Sequence, residues 1–138
     1  MAATIVQLLL AALLLISLAS FARAQQFQCP GEQKQVAELM FGRKIGDRIA
    51  VTEAKWSRFV DREITPHFPD GLSVVDAHGQ WRDATRNRIV REPSKLVTIV
   101  LQGKGGENEK LQQIIEAYKR QFSEKSVGLV VRPACVAF

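Results

Sequence analysis

The stretch LVTIVLQGKGGENEKLQQIIEAYKRQF, residues 96–122, decides the fold. Residues 96–101 are apolar on both faces and rich in β-branched side chains, as a strand inside a sheet is. Residues 103–108 are polar and glycine-rich, which predicts a loop. Leu111, Ile114, Ile115, Tyr118 and Phe122 then recur at the 3.6-residue period, so a helix follows with one apolar face.

Working outward, residues 36–43 alternate: Ala37, Leu39 and Phe41 fall on one face of a strand, and Val36, Glu38 and Met40 on the other. Thr52 suits a helix N-cap and Glu53 suits the dipole of its first turn. Trp56, Phe59, Val60 and Ile64 continue at helical spacing until Pro66 ends the run. Pro69-Asp70-Gly71 is a turn. Residues 72–77 read as a strand continuing through Trp81, residues 83–87 as a hairpin tip, and the chain returns through Ile89. Residues 127–131 are the last strand, whose regular pairing Arg132-Pro133 should end before Cys135. The order β-α-β-β-α-β predicts an α+β, ferredoxin-like fold. Its four-stranded antiparallel sheet, in the order 4-1-3-2, would carry two helices on one face.

The other face would present Val36, Glu38, Met40, Leu96, Thr98, Val100, Val130 and Arg132. Such a face is too apolar for water and too polar for a monomer core. It should be covered by a second subunit in a homodimer, by another segment or by a ligand.

Residues 5–18 are apolar except for Gln7 and Ser17. That run is short for a membrane span, and Ala22-Arg23-Ala24 follows it as a cleavage pattern. Residues 1–24 therefore read as a signal peptide, although residues 1–7 lack the usual Lys or Arg. An uncleaved anchor is the rival reading. Cleavage would leave residues 25–138 as a single domain without a stable membrane anchor. It would also remove Arg23 and lower the net charge from +5 to +4, an excess that does not by itself imply nucleic acid.

The two cysteines, Cys29 and Cys135, lie near the ends of that domain. In an oxidising compartment they should pair, and the spacing excludes a CxxC redox motif. The closed loop is long enough to contribute about 4–5 kcal/mol in a chain-entropy model. The predicted topology also places the start of strand 1 beside the end of strand 4, where these residues sit.

Phe41-Gly42-Arg43, Pro69-Asp70-Gly71-Leu72, Asp76, Gly79-Gln80-Trp81-Arg82, Val90-Arg91-Glu92-Pro93-Ser94-Lys95 and Cys135-Val136-Ala137-Phe138 carry a likeness. In that order the chain resembles an uncharacterised family of small exported bacterial proteins, a domain of unknown function, over roughly residues 36–138. The resemblance implies a periplasmic or secreted protein. It implies no activity and transfers no functional residue.

Other constellations carry weaker chemistry. His67 and His78, with Asp70 and Asp76 near them, match no common metal spacing, so no metal is expected. Gly103-Lys104-Gly105-Gly106 could hold an anion at a helix start, but it is not a P-loop and reads more simply as a flexible connection. Residues 81–95 hold Arg82, Arg86, Arg88, Arg91 and Lys95 against Asp83 and Glu92. Trp81 beside Arg82 suits a small anionic or aromatic ligand, or else caps the core edge of a solvated hairpin. Glu38 and Arg132 could grip a polar ligand on the open face, or balance each other at an interface. No nucleophile elbow and no cofactor motif occur. Residues 96–101 lack the stacking aromatics of an RNA-binding sheet, so no nucleic-acid partner is expected.

Two functions remain. One is a non-enzymatic module that binds or self-associates through the open face. The other is a small enzyme or cofactor binder of the dimeric α+β barrel type, with Glu38, Asp76 and His78 as its available titratable groups.

Overall fold

The structure is a computed structural model that describes residues 28–46 and 48–138. Residues 31–138 form one compact unit. The predicted signal peptide and its cleavage point lie outside the described residues, and none of the described helices is long and apolar enough to cross a membrane.

The elements run β1 (Glu32–Gly42), β2 (Lys44–Ile45), β3 (Arg48–Ile49), α1 (Glu53–Phe59), β4 (Ser73–Asp83), β5 (Arg88–Leu101), α2 (Glu107–Phe122) and β6 (Gly128–Val136). The four long strands form an antiparallel sheet in the order β4-β5-β1-β6. Counted among those four, that is the expected 4-1-3-2. The α+β, ferredoxin-like reading of the sequence therefore stands.

Local chemistry accounts for the elements. The Thr52 hydroxyl accepts from the Lys55 backbone N–H and caps α1. After Phe59 the helix widens into a π-helical turn over Val60–Ile64 and stops before Pro66. Asp83 Oδ1 accepts from the amides of Thr85 and Arg86, and Asn87 takes a left-handed backbone, which together close the β4–β5 hairpin.

Ala37, Leu39 and Phe41 from β1 and Val97, Ile99 and Leu101 from β5 face the helices and are buried with Trp56, Phe59, Ile114, Ile115, Tyr118 and Phe122. Phe41 is the hub, with ring centroids 4.7 Å from Tyr118 and 5.2 Å from Trp56.

Three features differ from the sequence reading. β1 begins at Glu32 rather than at residue 36, because Glu32, Gln33, Lys34 and Gln35 pair with the end of β6 although they bury little. β6 likewise pairs through Pro133 to Val136, past the point where regular pairing was expected to end. The short β2–β3 hairpin turns at Gly46, whose φ is +63°.

Candidate functional site

The open face of the sheet is built from three registered rows. Val36 lies between Val100 and Arg132; Glu38 lies between Thr98 and Val130; Met40 lies between Leu96 and Gly128. Leu96 in turn faces Val75 on the outermost strand. Met40, Val75 and Val130 are 44%, 52% and 41% exposed. Among them, Arg132 donates to Glu38 Oε1 at 2.9 Å, so the face carries one matched charge pair.

Trp81 and Arg82 stand elsewhere. The β4–β5 pairing runs on to Asp83↔Arg88, whereas β1 stops pairing with β5 at Gly42↔Ser94. Beyond that point the two strands form a free ribbon, here called the arm. Trp81 is half-exposed on the arm, and its indole N–H donates to Glu92 Oε1 at 2.8 Å. Arg82 donates to Asn87 Oδ1 at 3.1 Å near the tip. The sequence therefore named four ligand-binding candidates that fall in two places: Glu38 with Arg132, and Trp81 with Arg82.

At the base of the arm lies a group that sequence reasoning missed. Glu92 Oε2 also accepts from the Lys44 backbone N–H at 3.3 Å. A Cβ on Gly42 would come within about 3.0 Å of the Glu92 carboxylate, so glycine leaves the space it occupies. The Tyr118 hydroxyl donates to the Gly42 carbonyl at 2.6 Å. Burial, reinforced by the charges of Glu124 and Glu92, pushes the phenol above its ordinary range. Glu124 Oε1 is buried with no hydrogen-bond partner. Burial first and the Glu92 charge second push its carboxyl up to about 7.

A second unforeseen cluster lies on the helix side. Arg43 and Lys95 are buried. Arg43 donates to the Val51 carbonyl at 2.8 Å and pairs with Glu53. The Lys95 ammonium donates to Glu53 Oε2 at 2.8 Å and pairs with Asp76. The hydrogen bond from Lys95 holds both carboxyls below their ordinary range. Burial pulls Lys95 down, but the hydrogen bonds to Asp76 and Glu53 outweigh it and leave the ammonium raised.

The histidines are separate. His67 contacts the Glu63 carbonyl and Gln113, Asp70 pairs with Lys104, and His78 lies on the arm. His78, Gly79, Gln80, Arg91, Glu92 and Pro93 line an open depression of about 290 Å³ there. A depression of about 120 Å³ at the start of α2 includes His67, Lys104 and Lys110. Glu107 already accepts the Gln102 and Gly103 amides there. Both cysteines are disulfide-bonded, which agrees with an oxidising compartment.

With this geometry in place, the comparisons can be read. The backbone is similar to a phage SAM lyase in complex with S-methyl-5'-thioadenosine: TM-score 0.61, 18% identity, 82% of this chain and 90% of that one. The same lyase in its apo state gives a TM-score of 0.60 at 19% identity, over 81% and 90% of the two chains. CutA from Synechococcus elongatus gives 0.48 at 11% identity, over 75% and 78%. At these identities the likeness is one of fold alone. No curated protein matches the sequence. A family model described as "Protein of unknown function (DUF3574)" matches residues 36–138.

Proposed function

We propose that this chain, which belongs to that family of proteins of unknown function, is an exported module that binds a second copy of itself through the open face of its sheet. The observation that carries the reading is the patch of Met40, Val75 and Val130, exposed around a Glu38–Arg132 pair. A monomer rarely leaves an apolar patch of this kind in water. The charges on the patch are equal and opposite, which suits a copy of the same surface turned through a two-fold axis. An anionic ligand or lipid surface would instead call for an excess of one sign.

The enzyme reading gains less support. Asp76 is tied to Lys95, Glu38 to Arg132, and His78 lies out on the arm, so its three candidate groups do not converge. The bound thioadenosine belongs to the phage lyase, and 18% identity brings no residue of that site here.

Sedimentation equilibrium of the exported protein tests the proposal. A dimer at micromolar concentration is expected, and a species that is monomeric throughout would overturn it.

A further inference from the structure

We propose that Glu92 and Glu124 form a proton-operated latch at the base of the arm: while Glu124 is neutral, Glu92 holds the Trp81 indole, and ionisation of Glu124 drives Glu92 away from it. The inference does not depend on self-association.

A two-stranded ribbon on its own is marginally stable in water, so the contacts at its base set how firmly it is held. Here those contacts converge on one short segment. Glu92 accepts from the Trp81 indole and from the Lys44 amide, and the Lys44 ammonium donates to the Arg91 carbonyl. Glu92 lies against Gly42, whose carbonyl takes the Tyr118 hydroxyl. A path of contacts therefore joins α2, the end of β1 and the arm.

Glu124 enters this path from the loop between α2 and β6. Its buried, unpartnered Oε1 is tolerable on a neutral carboxyl and costly on an anion. The groups facing it are Glu92 from β5 and the Lys125 backbone amide, with Tyr118 from α2 alongside and Arg43 beyond the phenol. Lys44, Arg91 and His78 surround Glu92 on the arm side. Once Glu124 ionises, two carboxylates face each other across a partly dry gap. Glu92 is the partner that can yield, because it sits on a ribbon open to water and gives up one bond to a half-exposed indole. Glu124 has its oxygen already enclosed.

The test uses the two tryptophans, Trp56 in the core and Trp81 on the arm. Indole N–H resonances of the ¹⁵N-labelled protein are followed from pH 5 to 9 and assigned with Trp81→Phe. The Trp81 resonance should move with a midpoint near 7, the value to which Glu124 is raised. Trp56 should stay fixed and report an intact fold. In Glu124→Gln the Trp81 resonance should stay at its low-pH position, and in Glu92→Gln it should lose its pH response. A flat wild-type resonance would overturn the latch. So would a titration surviving in either variant, which would belong to His78 on the same arm. If one variant loses the native Trp56 signal, the other decides.

Discussion

Lys95 and Asp76 are direct partners across β5 and β4, with the ammonium against the carboxylate and Glu53 closing on it from the start of α1. The lysine side chain is 6% exposed, whereas the Glu53 and Asp76 side chains are 64% and 80% exposed. The cation is thus buried and its partners are wet. Asp76→Asn alone should change stability little, because Glu53 still holds the ammonium. Glu53→Gln with Asp76→Asn should cost more than the two singles summed, since a buried charge then lacks a partner. Urea midpoints of the four proteins measure the excess, and strict additivity would contradict it.

The same pair sets an acid limb. Both carboxyls are held below their ordinary values in the fold, so their contribution is present above about pH 4–5 and is lost as pH falls further. Thermal melts from pH 5 to 2 should show a fall in stability that is shallower in the Glu53→Gln, Asp76→Asn variant.

Glu124 has the opposite sign. Its folded value of about 7 stands above its ordinary 4.5, so the native state binds its proton more tightly. The stabilisation is fully present below pH 4.5 and is lost as pH rises through 7. Glu124→Gln should flatten this slope and stabilise the protein at pH 8, by about 1 kcal/mol after allowing for solvent screening of a half-exposed group. Melting temperatures of the two proteins that track in parallel from pH 5 to 8 would rule this out.

Met40→Lys and Val75→Lys place a charge on the open face at positions already reached by water, so the fold should persist. Each should shift the sedimenting species toward monomer with native far-ultraviolet dichroism. A dimer unmoved by both would locate the interface elsewhere.

Trp56→Ala and Ile115→Ala remove side chains that are 3% and 7% exposed beneath the sheet. Each should cost about 2–5 kcal/mol by urea titration, as large-to-small core changes do. A smaller loss would mean that the aromatic cluster around Phe41 closes over the gap.

How much of this was legible in the sequence depended on whether a side chain obeyed the period of its element. Trp56, Ile115 and the LVTIVL strand followed their periods and placed the core, and the alternation of Val36, Glu38 and Met40 gave the open face. The Glu38–Arg132 pair was readable because the two residues fall on adjacent strands. Arg43 and Lys95 were not, because charged residues normally point outward and only partners from other elements make these burials tolerable. Glu92 and Glu124 lie 32 positions apart and meet only because a loop rounds the end of the sheet, a relation that no periodicity encodes.

The register of β1 has a kinetic consequence. The strand pairs on one side with β5 and on the other with β6, where Glu32 meets Val136 near the end of the chain. Neither partner is local, so closure must wait for loops of about 60 and 100 residues, and folding should be slow for a domain of this size. Until its final strand emerges, the first strand has an unfilled edge and the polypeptide remains an open thread. That is the state in which a chain can be passed through a membrane pore.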